Sequence, residues 1–208
     1  MCETTGFGHQ KQPLLIVISG PSGVGKDTVI NRLRERHPDL AFVVTAASRD
    51  PRPGEVHGKD YFFIPRPEFE RKIKAGDFLE HAVVYGELKG ILKSEVQKAL
   101  DSGNDVVLRV DVQGAATVRE QAPQALLIFL TTNDEQELVD RLIARKTESP
   151  EKLKIRIETA KQEMKRVNEF DYKVVNPDGC LEETVDVILS IIESEHHAVE
   201  SRKIQLFD

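Results

Sequence analysis

The densest chemistry in the chain lies in Gly20, Pro21, Ser22, Gly23, Val24, Gly25, Lys26 and Asp27, which follow the apolar run Leu14-Leu15-Ile16-Val17-Ile18-Ser19 and lead into Thr28-Val29-Ile30. Glycines at this spacing let successive backbone N–H groups face one concavity, a helix start adds positive potential, and a lysine can reach the outer phosphates of a nucleotide. The bland reading, a glycine-rich turn without a ligand, explains neither the preceding strand nor the lysine. The pattern G-x-x-x-x-G-K-[ST] ends in a hydroxyl that ligates Mg²⁺, and Asp27 stands at that position. A carboxylate is itself a hard oxygen donor, so Asp27 beside Thr28 reads as a substituted Mg²⁺ ligand.

A second cluster is Arg49, Arg52 and Tyr61, in a proline- and glycine-rich loop over residues 48–61. Two arginines three apart can grip one phosphate bidentately, and a tyrosine hydroxyl adds a donor. Taken singly they would be surface charges and a core aromatic. Glu80 and Asp111 supply carboxylates, each able to accept two hydrogen bonds side by side, which suits the N1–H and N2–H₂ edge of guanine and meets an acceptor in adenine; Glu80 taken alone reads as a solvent-facing strand residue. A third group, Arg141, Arg145 and Arg156, flanks Lys146-Thr147-Glu148-Ser149-Pro150. Guanidinium groups that arrive from a mobile segment can stabilise the charge spread over a transferred phosphoryl group. The alternative for Arg141 and Arg145 is a solvated helix face.

The elements that must carry these residues follow from periodicity. Strands are expected at 14–19, 42–45, 105–111, 126–130 and 172–175. Helices are expected from Thr28 to near His37, at 67–75, 93–102, 114–121, 134–145 and 150–168, and from Leu181, with a hairpin over 78–90. Strands alternating with helices behind a leading phosphate loop predict an α/β fold, a parallel sheet covered on both faces. Residues 45–92 read as a small mixed insertion.

The chain of 208 residues suffices for one functional unit, and 35 acidic against 29 basic residues, a net charge of −6, argue against a general nucleic-acid or membrane surface. A local basic cluster must therefore hold a small anion. Cys2 and Cys180 are far apart and lack metal spacing, so no role is assigned to them. Residues 1–12 contain no apolar core of a leader, and no run approaches a membrane span.

Gly20 to Lys26, Ser48-Arg-Asp-Pro-Arg-Pro-Gly-Glu55, Gly58-Lys-Asp-Tyr61, Phe78-Leu-Glu80, Val110-Asp-Val-Gln-Gly114, Arg145-Lys-Thr-Glu-Ser149 and Tyr172-Lys-Val-Val-Asn176 occur in an order and spacing that resembles guanylate kinases. The resemblance spans about residues 14–195. It implies a P-loop nucleoside monophosphate kinase fold with a GMP-binding lobe and a helical lid, transferring the γ-phosphoryl of ATP to GMP with Mg²⁺. It divides the chain into a tail (1–12), a core (13–44, 93–144 and 170–195), a GMP lobe (45–92), a lid (145–169) and a C-terminal extension (196–208). The implied catalytic residues are Lys26, Arg49, Arg145 and Arg156. ATP falls to Gly20–Thr28, GMP to Thr45, Arg49, Arg52, Tyr61, Glu80, Lys89 and Asp111, and Mg²⁺ to Asp27.

Departures from the family pattern are Asp27, Lys89 for a tyrosine, Ile91 for a hydroxyl residue that serves guanine O6, Arg109 for an aspartate, Lys146 for a glycine and Thr45 for a serine. This set resembles plant organellar guanylate kinases. The expected partners are small molecules, with neither nucleic acid nor membrane, and the expected assembly is a monomer or weak dimer. The expected location is the cytoplasm for a bacterial form, and plastid or mitochondrion for a processed plant form. The alternatives are a guanylate-kinase-like interaction module without catalysis, and a ribosyl-bisphosphate phosphokinase, whose loop can also end Gly-Lys-Asp.

Overall fold

The computed structural model describes residues 12–84, 86–144 and 150–206. In chain order these form β1 (Leu15–Ser19), α1 (Lys26–Arg36), β2 (Ala41–Phe42), β3 (Ala46–Ala47), β4 (Phe62–Phe63), α2 (Arg66–Lys74), β5 (Phe78–Val84) and β6 (Glu87–Leu92). There follow α3 (Lys93–Asp101), β7 (Val106–Arg109), α4 (Val112–Gln121), β8 (Leu126–Thr131), α5 (Glu135–Ala144), α6 (Pro150–Met164), β9 (Tyr172–Val175) and α7 (Leu181–His196).

The two long apolar runs, β1 and β8, are buried along their whole length, as strands covered on both faces must be. They pair in parallel with each other and with β7 and β9, giving the order β2-β7-β1-β8-β9. Alternate residues of β1 point to opposite faces. Ile16 and Ile18 join Leu33 of α1 and Ile188 of α7 in one apolar cluster, and Leu15 and Val17 join Val96 of α3 and Val118 of α4 in another. Successive strands fall on either side of central β1, so the loop leaving its C-terminal end sits at the sheet's topological switch point, where open α/β sheets hold ligands.

The run expected as one strand at 42–45 is divided. Only Ala41 and Phe42 pair with β7. The chain then crosses to a second sheet, ordered β4-β3-β6-β5, in which Ala46 and Ala47 pair with both β4 and β6. This lobe has its own small core of Ala46, Ile64, Phe69, Phe78 and Leu88, with the Phe69 and Phe78 rings stacked at 4.3 Å. The long helix expected over 150–168 stops at Met164, and a separate 3-10 turn covers Val167–Glu169. Beyond α7 the chain folds back. Arg202 Nε donates to Glu195 at 2.7 Å, while Ile204 and Leu206 pack on the cluster around Leu15 and Val17. No helix of the described residues is long and apolar enough to cross a membrane.

Candidate active site

The phosphate loop is built by close backbone approach. A Cβ on Gly20, whose φ is 140°, would lie 2.1 Å from the Leu130 carbonyl oxygen, and one on Gly25, at φ 93°, would lie 2.6 Å from Asn176 Nδ2. Both conformations suit glycine. Gly25 is the residue before α1, so the helix starts at Lys26, two residues earlier than expected. The buried Asn176 donates from Nδ2 to the Val24 carbonyl at 2.8 Å and accepts from the Thr184 hydroxyl at 3.0 Å. Arg141 adds a contact from Nη1 to the same Val24 carbonyl at 3.4 Å and one from Nη2 to the Asn176 carbonyl at 2.8 Å. Arg141 is therefore neither a lid cation nor a solvated face: it braces the loop from behind.

Lys26 Nζ donates to the Gly20 carbonyl at 2.5 Å and the Pro21 carbonyl at 2.9 Å. Burial lowers its pKa to about 8, against the pull of the nearby Glu163 and Asp27 carboxylates. Arg156 on α6 donates from Nε and Nη2 to the Ser22 hydroxyl at 2.9 and 2.8 Å. Glu163, buried two turns further on, accepts from the Ser22 backbone N–H. Desolvation raises its pKa and Lys26 opposes the rise. Thus one face of α6 docks on the loop. Asp27 Oδ1 pairs with Nη1 of Arg109, the last residue of β7. Pro21 and Val24 contribute through backbone carbonyls, and Thr28 lines the cavity with Ser22, Gly23 and Gly25.

That cavity, of about 660 Å³, is lined by loop residues, by Arg109 and Asp111, by Lys152, Arg156 and Glu163 of α6, and by Val84 and Lys89 of the lobe. Loop, helix and lobe thus face one space. A smaller cavity of about 280 Å³ shares Asp27 and Arg109 with it and adds Thr45, Lys59, Asp60 and Tyr61.

In the lobe, Arg49 forms a fork with Glu55, Nη1 to Oε2 at 2.6 Å and Nη2 to Oε1 at 2.7 Å. Those bonds, with the Arg52 N–H next, hold the Glu55 pKa down to about 2. The Arg49 guanidinium lies 5.1 Å from the Tyr61 ring centroid and Lys89 Nζ lies 5.6 Å from it. Arg49, Tyr61 and Lys89 are therefore together, whereas Arg52 enters through its backbone N–H, 2.7 Å from Glu55 Oε2, with its side chain exposed.

Glu80 on β5 packs against Gly114 of α4, where an added Cβ would come within 3.1 Å of its Oε1. Burial, with a smaller contribution from Asp111, raises the Glu80 pKa to about 7. Asp111 also caps α4, accepting the Gly114 N–H at 2.7 Å. Ile91 lies in the apolar cluster with Leu79 and Val96 and lines neither cavity. Arg145 and Lys146 lie outside the described residues. Sequence reasoning missed Glu55, Gly114, Glu163 and Asn176 as site residues. Three of these stand inside or end a motif already quoted; Glu55 braces Arg49 within one loop, whereas Gly114, Glu163 and Asn176 act through contacts with segments distant in the chain.

The sequence pattern of a protein family described as guanylate kinase matches residues 12–195. Chloroplastic/mitochondrial guanylate kinase 2 of Oryza sativa subsp. japonica is 52% identical over 94% of this chain and 69% of its own length. A guanylate kinase of Clostridium perfringens is 43% identical over 94% of this chain and 89% of its own. The crystal structure of guanylate kinase from Anaplasma phagocytophilum superposes with a TM-score of 0.69 at 28% identity, covering 91% of this chain and 89% of that one.

Proposed function

The chain belongs to the guanylate kinase family, and we propose that its loop, lobe and α6 divide the reaction among themselves as follows. The protein transfers the γ-phosphoryl of ATP to GMP, giving ADP and GDP. The observation that carries the division of labour is the single cavity onto which Lys26, Arg156 and Lys89 all open. A donor phosphate on the loop and an acceptor phosphate in the lobe would meet there.

ATP binds along Gly20–Thr28, with Lys26 turning from the Gly20 and Pro21 carbonyls to the outer phosphates. GMP binds with its phosphate at Arg49, Arg52, Tyr61 and Lys89, and its base at Thr45, Glu80 and Asp111. The nucleophile is a phosphate oxygen that is already anionic, so no general base is required. Positioning and cationic stabilisation by Lys26, Arg49 and Arg156, with Arg145 from the 145–169 lid, supply the acceleration. Ionised Glu80 selects guanine by accepting two N–H groups, and an adenine would present an acceptor to it. With Ile91 buried in the core, selection rests on Glu80, Asp111 and Thr45, and O6 draws on no side-chain hydroxyl at position 91.

Mg²⁺ belongs to this reading. Among the described residues no group of three or more His, Cys, Asp or Glu is arranged to hold a metal by itself. The Asp27 carboxylate and Thr28 hydroxyl at the loop are hard oxygen donors, which suit Mg²⁺, an ion that keeps several waters and is held mainly by substrate phosphates. Asp27 and Thr28 line the cavity and would be its protein ligands, Asp27 through whatever capacity its pair with Arg109 leaves. Bound there, the ion would neutralise developing charge on the phosphates.

The intact loop and Lys26 favour the enzyme over a catalytically silent interaction module. The described site residues, Lys26, Lys89 and Arg156 among them, come from one chain, which supports a monomer or weak dimer acting on the small molecules GMP and ATP. The greater identity to the rice organellar protein supports plastid or mitochondrion over a bacterial cytoplasm. A coupled assay of ADP formation with GMP, AMP, UMP and ribose 1,5-bisphosphate side by side tests the substrate assignment. Turnover is expected with GMP and only weakly with the others. Comparable rates with AMP would remove the guanine assignment, and preference for the ribose bisphosphate would replace it.

A further inference from the structure

Two departures from the family pattern, Asp27 and Arg109, stand 82 residues apart in sequence and form one ion pair in the fold. Arg109 ends β7 in register with Ile18 of β1, so its side chain leaves the sheet at the switch point beside the loop. The pair lines both the larger and the smaller cavity and forms part of the boundary between the loop and the lobe. Its members are accessible, with side-chain exposures of 45% for Arg109 and 68% for Asp27. An ion pair this exposed contributes little to stability, so the fold does not require it. The Arg109 charge is nevertheless felt at Lys26, whose hold on its proton it weakens. A guanidinium that close to the loop lysine is within the field of whatever anion the lysine holds.

We propose that Arg109 is a substrate-binding residue for the ATP phosphates, held by Asp27 while the site is empty and released when the triphosphate enters. Asp27 and Arg109 then act as one unit, a carboxylate on the loop storing a phosphate-binding cation from the neighbouring strand. A fork of guanidinium donors matches phosphate oxygens better than it matches a single carboxylate oxygen. The anion on the loop competes for Arg109 with a partner that is itself two-thirds exposed, and the more highly charged triphosphate wins that exchange. This inference rests on the assignment of the loop to ATP made above.

The test is a double-mutant cycle read by binding. Affinities for ATP in EDTA, and separately for GMP, are measured by titration calorimetry on the full chain, its Arg109→Gln, Arg109→Lys and Asp27→Asn variants, and the Asp27→Asn/Arg109→Gln double variant. Thermal melting of each variant shows that it is folded. Arg109→Gln should weaken ATP binding by about tenfold, the worth of a hydrogen bond to a charged group, and Arg109→Lys should recover part of the loss. GMP affinity should fall by less than ATP affinity, since Arg109 also lines the smaller cavity with Thr45 and Tyr61 but its released guanidinium goes to the triphosphate. Asp27→Asn should tighten ATP binding, and by more when Arg109 is present than in the Arg109→Gln background, because only then does a stored cation become free. Equal gains in both backgrounds, unchanged ATP affinity in Arg109→Gln, or a loss confined to GMP would each overturn the proposal while leaving the kinase assignment standing. Failure of the unsubstituted chain to bind ATP would overturn both.

Discussion

The donor loop and the acceptor lobe hold their functional groups in opposite ways. The loop is braced by the rest of the fold: Asn176, just after β9, and Arg141 of α5 fix the Val24 carbonyl, and Gly20 lies against the backbone of β8. The lobe stands on a core of its own, and Arg49, proposed to bind the acceptor phosphate, is satisfied locally, with Glu55 six residues away forking it. A preorganised loop has little to reorganise when the triphosphate arrives, whereas on the proposed assignment a phosphate in the lobe would have to displace the Glu55 carboxylate from Arg49. The donor site is thus coupled to global stability and the acceptor site to local exchange, and the two should respond differently to substitution.

The largest contrast is between two glycines of positive φ. Gly20→Ala puts a Cβ into the Leu130 carbonyl and should abolish ATP turnover together with the native melting transition. Gly54→Ala, in the lobe loop with no atom within 4 Å of the added Cβ, should cost about 1 kcal/mol of backbone strain and keep turnover. Denaturant unfolding of both variants checks this, and equal losses would remove the distinction.

Next, Glu80→Gln replaces an acceptor pair with one acceptor and one donor. The ratio of kcat/KM for GMP over AMP should fall by about 10²-fold, with KM for ATP unchanged, because the effect belongs to the lobe alone. A change in KM for ATP of similar size would show that the two regions are not separable. Asn176→Ala is the mirror experiment. It removes the shorter of two donors to the Val24 carbonyl and an acceptor of the Thr184 hydroxyl, and should lower stability by about 2 kcal/mol and raise KM for ATP while leaving selectivity for guanine intact.

The smallest effect expected is in the pH profile. Burial puts the Glu80 pKa at about 7, above its ordinary value, so the accepting carboxylate is present above that pH and lost as pH falls through it. The Lys26 pKa, lowered to about 8 by burial, leaves the cation present below that pH and lost above it. The profile of kcat/KM for GMP should therefore fall on the acid side of about 7, and that for ATP on the alkaline side of about 8. Glu80→Gln should erase the acid limb only.

Much of this was legible in the residues themselves. The loop, Lys26 and the parallel sheet follow from local pattern, since strand, glycine spacing and helix start lie within one stretch of chain. The strand expected at 42–45 is divided, and a β-branched run does not reveal that it leaves one sheet for another between Phe42 and Ala46. Arg141 has the sequence context of a lid or surface cation because its partners, Val24 and Asn176, are 117 and 35 residues away. Asp27 taken alone reads as a metal ligand, and only the fold brings Arg109 to it. Local chemistry is visible in sequence, while contacts between segments must be built.

The most direct test of the central account follows the phosphorus atoms. Phosphorus NMR of the chain with ATP, GMP and Mg²⁺ should show GDP and ADP appearing in equal amounts with no inorganic phosphate, because the cavity passes the group from loop to lobe. ADP accompanied by inorganic phosphate, or no turnover while both nucleotides bind, would contradict it.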